Sequence, residues 1–182
     1  MNEDYQLYGI STDDILFNFK KMDALMKIEG LHLDICLIGG TACILTGLVK
    51  RVTIDYDLLN LDYKPEVRNY LNFLNPYDLV DFEATTIPRS FGQRLSVAFQ
   101  GELVCCRILC IEDLILSKLC RNLEKDFLDI DLLIVNADQN KILELIGEVK
   151  NDIKTRYPRI QENFAASIVT FKNRYHFKVG VM

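Results

Sequence analysis

Ile38-Gly39-Gly40-Thr41-Ala42, followed by Arg51-Val52-Thr53-Ile54-Asp55-Tyr56-Asp57, is the stretch on which the fold of this chain turns. Upstream of it, Leu33 to Ile38 is an apolar run of strand length. The two glycines end that strand, and a short helix is expected from Thr41 to about Leu48. Glycine lets a backbone come close to a ligand. The open N–H groups at the start of a helix attract anions, phosphate above all, and Thr41 adds a hydroxyl. Taken alone, Gly-Gly between strand and helix is more often a tight turn than a binding site.

The second half of the stretch changes that balance. Val52 to Leu59 alternates, with Val52, Ile54, Tyr56 and Leu58 on one face and Thr53, Asp55 and Asp57 on the other. Carboxylates at i and i+2 of a strand point the same way, about 6.5–7 Å apart. Such a pair is costly without a cation. Oxygen-only ligands suit Mg²⁺, which takes one or two carboxylates together with substrate phosphates. An acidic pair on a solvated strand face needs no metal, but this strand is otherwise apolar and follows the Gly-Gly turn closely.

Working outward, Ser11 with Asp14 reads as a capping box opening a helix in which Ile15, Phe19, Met22 and Met26 recur at helical spacing up to Gly30. Pro65 to about Leu74 is helical, and Leu79 to Ala84 is expected as a third strand. Pro88 to Gly92 reads as loop. Arg94–Phe99 and Glu102–Leu109 form a hairpin closed by Gln100-Gly101. From Glu112 the pattern is helical, with breaks near Asn122, Ala137-Asp138 and Pro158. The order predicts an α+β fold, a mixed sheet flanked by helices with a C-terminal helical tail. A single domain is expected over residues 1–182, with its core at about 33–135 and the tail at about 138–182.

A formal net charge of −5 argues against avid, non-specific polyanion binding. The acidic Met1-Asn2-Glu3-Asp4 start lacks an apolar signal-type segment, and no apolar run reaches membrane-spanning length, so a cytoplasmic protein is expected. The six cysteines complete no CxxC pair, which fits buried free thiols in a reducing compartment.

The string Gly39-Gly40-Thr41-Ala42, then Arg51-x-Thr53-x-Asp55-x-Asp57, resembles the signature of the nucleotidyltransferase superfamily with the polymerase-beta-like fold. It is similar to bacterial and archaeal nucleotidyltransferase-like proteins of unassigned role related to the AbiEii toxin family. Ile111-Glu112-Asp113-Leu114-Ile115-Leu116-Ser117-Lys118-Leu119, then Lys125-Asp126-x-x-Asp129, extends the resemblance, which runs from about Ile35 to Leu133.

The resemblance implies a Mg²⁺-dependent enzyme that moves a nucleoside monophosphate from an NTP to a hydroxyl. Asp55 and Asp57 would hold two Mg²⁺ ions, and Gly39, Gly40 and Thr41 would grip the distal phosphates. A third carboxylate on the neighbouring strand would complete the site. Asp81 and Glu83, expected on one face of that strand, are the candidates, Asp81 first. Lys118 would neutralise phosphate charge, or it is a surface lysine resting its stem on apolar neighbours. Asp126 and Asp129 could clasp Lys118, Arg121 or substrate, or form a solvated acidic face; Arg51 could touch a phosphate or pair with an acid. The acceptor could be RNA, protein or a small molecule, and an antitoxin is a further candidate partner. The competing class is a nucleotidyltransferase-like module that binds nucleotide or a partner protein without turnover.

The cysteine spacing yields a first prediction. Thiol titration of denatured, metal-free protein is expected to count six free thiols; two or more missing would contradict it.

Overall fold

The structure is a computed structural model that describes residues 9–121 and 123–177. The chain divides into two compact units, one formed by residues up to Leu79 with Ser96–Ile108, the other by Val80–Leu95 and the chain from Leu109.

The first unit begins with helix α1 (Thr12–Glu29). Ser11 caps it as expected: its hydroxyl accepts from the Asp14 N–H, and the Asp14 carboxylate accepts from the Ser11 N–H. Gly30, at φ 66°, ends the helix in the left-handed conformation that glycine adopts without strain. Strand β1 (Leu33–Ile38), helix α2 (Gly39–Leu45), strand β2 (Tyr56–Leu59), helix α3 (Pro65–Leu71), strand β3 (Tyr77–Val80) and the hairpin β4 (Ser96–Gln100) and β5 (Val104–Ile108) follow. The sheet order is β3-β2-β1-β5-β4. β1 runs antiparallel to β2 and parallel to β5, and β4 pairs antiparallel with β5, so the sheet is mixed. Adjacent residues of β1, Ile35, Cys36, Leu37 and Ile38, are all buried, as expected for a central strand covered on both faces. Between Val97 and Phe99 the β4–β5 register shifts.

α1 packs its buried stripe of Ile15, Phe19, Met22 and Met26 into this unit, and Phe19 stacks on Phe99 of β4 at 5.7 Å between centroids. The same helix carries a buried acid. The Asp23 carboxylate accepts hydrogen bonds from the Leu103 N–H (2.7 Å) and the Val104 N–H (2.9 Å), just past the hairpin turn. A Cβ at Gly101 would lie 2.3 Å from this carboxylate, so the turn can close on Asp23 only with glycine there. Burial works to raise the Asp23 pKa, but the backbone donors outweigh it and hold the carboxyl below its ordinary value.

In the second unit, the segment 80–95 packs with four helices, α4 (Ile111–Ser117), α5 (Glu124–Leu133), α6 (Gln139–Asp152) and α7 (Pro158–Arg174). The segment is tied down by buried charge. Arg94 makes a two-pronged pair with Asp113 (2.9 and 3.0 Å), and the Ser90 hydroxyl and N–H both donate to Glu148. Arg156, fully enclosed, donates to the Phe82 and Ile87 carbonyls and lies 3.9 Å over the Phe82 ring. No helix among the described residues is long and apolar enough to cross a membrane.

The α+β class, the capping box, the hairpin and the helix breaks at Ala137-Asp138 and Pro158 agree with the sequence; Asn122 lies outside the described residues. Four elements differ. Both glycines belong to the first turn of α2, which starts at Gly39 rather than Thr41. The second strand is only Tyr56–Leu59, and the residues expected as strand before it form an isolated bridge of Thr53 with Ile10 followed by a bend at Ile54-Asp55. The third strand lies earlier, at Tyr77–Val80, and Phe82–Ala84 is a 3-10 turn, so Asp81 and Glu83 do not share a strand face. The expected loop at 88–92 is largely a 3-10 turn, Arg89–Arg94.

Asp23→Ala leaves one buried and one part-buried N–H group without their acceptor and is expected to cost about 2–4 kcal/mol in chemical denaturation. Because the folded-state pKa of Asp23 is depressed, its contribution is present at neutral pH and lost as pH falls below the ordinary 3.8. The stability gap between wild type and Asp23→Asn is therefore expected to close on acidification through that range.

Candidate metal and phosphate site

The register of β1 and β2 builds the site. Ile38 pairs with Asp57, which brings the Asp57 side chain over the residue after Ile38. That residue is Gly39, at φ 61°. A Cβ there would stand 1.8 Å from an Asp57 carboxylate oxygen and 2.9 Å from the Asp57 Cβ. Gly39 is therefore required twice, by its backbone conformation and by the carboxylate seated on it. Along β2, Tyr56 and Leu58 turn into the core and Asp57 stays half-buried, as expected, but before the strand the alternation fails: Val52 and Ile54 are exposed and Thr53 is buried.

Asp55 lies one residue before β2, half-buried, and Asp78 lies on β3, exposed. Asp55, Asp57 and Asp78 each bring one carboxylate oxygen within 4.8 Å of the others. Gly40, the other glycine, faces Thr53 and Arg51: a Cβ there would be 3.0 Å from the Thr53 hydroxyl and 3.1 Å from an Arg51 guanidinium nitrogen. Arg51 also lines an open cleft of about 470 Å³ with Lys50, Val52 and Ile44. Three acids and one guanidinium thus gather around the Gly39-Gly40 turn.

The donor set fits Mg²⁺. All three ligands are hard carboxylate oxygens, and at Mg–O bonds of about 2.0–2.1 Å two ligands of one ion stand at most about 4.2 Å apart, so the observed spread closes with small side-chain rotations. Asp55 is anchored for such a role: the Thr41 hydroxyl donates to its carbonyl at 2.7 Å, and the Thr53 hydroxyl reaches its carboxylate at 3.3 Å.

The remaining expected residues lie in the second unit. Lys118, at the end of α4, is buried rather than snorkelling; its ammonium sits 2.7 Å from Asp129 and 3.6 Å from Asp126, both buried on α5. Arg121 pairs with Asp126 at 3.1 Å. Of the alternatives open in the sequence, the clasp of Asp126 and Asp129 on Lys118 and Arg121 is the one the structure forms. Asp81 accepts a hydrogen bond from the Tyr157 hydroxyl (2.8 Å), and the Glu83 carbonyl accepts from the Tyr157 N–H. No local pattern in the sequence marks Asp78, which stands without a spaced partner; it joins the site because the third strand starts at Tyr77 rather than Leu79.

A mixed sheet with paired acids beside a glycine turn fits the nucleotidyltransferase-like class. The chain belongs to the family described as nucleotidyltransferase of unknown function (DUF6036), whose model matches residues 15–176. No curated protein and no solved structure matches the chain.

Gly39→Ala is expected to destabilise the protein by more than the roughly 1–2 kcal/mol of left-handed strain alone, since it also collides with Asp57. Introducing it into an Asp57→Gly background should cost less than in wild type. A double-mutant cycle read by urea denaturation measures the difference, and strict additivity would refute the contact.

Proposed function

We propose that the protein is a Mg²⁺-dependent nucleotidyltransferase that transfers a nucleoside monophosphate from an NTP to a hydroxyl of RNA, protein or a small molecule. The observation that carries this reading is the convergence of Asp55, Asp57 and Asp78 beside the Gly39-Gly40 turn, supported by membership of the nucleotidyltransferase family. Asp55, Asp57 and Asp78 would hold the metal, with Asp78 supplying the third carboxylate in place of Asp81 or Glu83. Bound Mg²⁺ supplies charge neutralisation for the triphosphate and acidifies the attacking hydroxyl.

The protein's own groups do the rest. Gly39 and Gly40 offer a backbone that a phosphate can approach closely, and Arg51, beside Gly40, offers a guanidinium for its oxygens. The acceptor oxygen attacks the α-phosphorus, pyrophosphate leaves, and the hydroxyl proton passes to a carboxylate, for which exposed Asp78 is the accessible one. Lys118, clasped by Asp126 and Asp129, holds α4 against α5 in this reading.

Thermal melting with and without each Mg²⁺-NTP tests the proposal. At a hundred times the Kd, wild type should gain about 2.7 kcal/mol, a rise in Tm of roughly 5–11 °C. Asp55→Asn, Asp57→Asn and Asp78→Asn should lose most of that rise, and in metal-free buffer they should be as stable as wild type or slightly more so, because like charges are separated. Pyrophosphate release with RNA or lysate then decides between transfer and binding alone. No rise with any NTP would overturn the reading.

A further inference from the structure

We propose that Thr53 is a positioning residue, the hydroxyl that sets the orientation of the Asp55 carboxylate for a divalent cation, with Thr41 fixing the backbone beneath it. The inference rests on the metal-site reading above and deepens it.

Asp55 lies in a bend rather than in β2, so no strand ladder holds it. A carboxylate on an irregular segment swings freely unless side chains restrain it, and metal ligands need such restraint to bind well. Two buried hydroxyls provide it. Thr41 is 0 % exposed and Thr53 5 % exposed. The Thr41 hydroxyl donates to the Asp55 carbonyl at 2.7 Å. The Thr53 hydroxyl lies 3.3 Å from Asp55 Oδ1 and 3.4 Å from the same carbonyl. A threonine hydroxyl has a single proton. Thr41 already serves the carbonyl at the shorter distance, so the Thr53 proton goes to Oδ1. The division leaves Thr41 holding the main chain and Thr53 holding the carboxylate.

Thr53 is itself fixed. Its N–H and carbonyl exchange hydrogen bonds with Ile10, at 3.2 and 2.6 Å, so the chain segment leading into α1 anchors the residue that aims Asp55. Thr53 also stands 3.0 Å from where a Cβ on Gly40 would lie, which ties the glycine turn and the first acid to one hydroxyl. In this arrangement Thr41 acts on Asp55, and the backbone of the turn is left to meet phosphate.

Mn²⁺ titration of the apo protein, followed by the electron paramagnetic resonance of the free ion, tests this with the metal alone. Thr53→Val keeps the shape and removes the proton; it should weaken Mn²⁺ binding by about 10- to 100-fold, the usual effect of losing a partner of a metal ligand. Thr53→Ser should restore binding to within about twofold of wild type. A residue with only a structural role would move stability but not this affinity, so urea denaturation is run in parallel, and Thr53→Ala stands in if the valine variant fails to fold. Wild-type affinity in both Thr53→Val and Thr53→Ala, with Asp55→Asn losing the ion, overturns the role of Thr53. Wild-type affinity in Asp55→Asn instead overturns the metal-site reading itself.

Discussion

The arrangement depends on one close packing, that of the Asp57 carboxylate against a residue without a side chain. Antiparallel pairing of β1 with β2 sets Asp57 opposite Ile38, and the chain must then turn immediately beneath the acid. With any Cβ at position 39 the acid and the turn could not coexist. From this follow the left-handed turn into α2, the approach of Gly40 to Arg51 and Thr53, and the path that returns Asp55 to the Thr41 hydroxyl. The hairpin repeats the device: Gly101 lies under the Asp23 carboxylate, and that acid binds the backbone of the next strand. In both places a glycine makes room for a charge that the fold holds in a set position.

Elements governed by local chemistry were legible in the sequence. Ser11 with Asp14, Gly30, the Gln100-Gly101 turn and Pro158 each act over a few residues, and each marks a boundary in the structure. The glycine turn was legible for the same reason, whereas the acid pair reads in the sequence as one strand face and Asp55 in fact lies in a bend before β2. What could not be read was fixed from afar. Val80 to Ala84 alternates apolar and acidic residues as a strand would, yet Phe82–Ala84 is wound into a 3-10 turn. Arg156, 74 residues further along, donates to the Phe82 carbonyl and covers its ring. The misplaced strand then hid Asp78 and lent Asp81 and Glu83 a shared face they do not have.

The second unit is held by charge in an interior where charge is expensive. Lys118 between Asp126 and Asp129, Arg94 on Asp113, and Arg156 against Asp152 and two carbonyls are all buried or largely so. Deleting one partner of such a pair leaves the other uncompensated, which costs more than the pair contributed. The burial of Lys118 thus has a consequence for experiments: loss of activity on its substitution would report folding and chemistry together, whereas the half-buried acids of the first unit separate the two.

The ends of the sheet are guarded in different ways. An edge strand offers unpaired N–H and C=O groups to any passing strand, the usual start of aggregation. β4 is such an edge, with Val97 57 % exposed, but the slip in register between Val97 and Phe99 interrupts the even row that a second strand would need. β3, the other edge, is four residues long and presents the charge of Asp78. The guarding of this edge and the chemistry proposed for the site therefore draw on the same aspartate, and a substitution that removes its charge also leaves a short strand edge open to self-association.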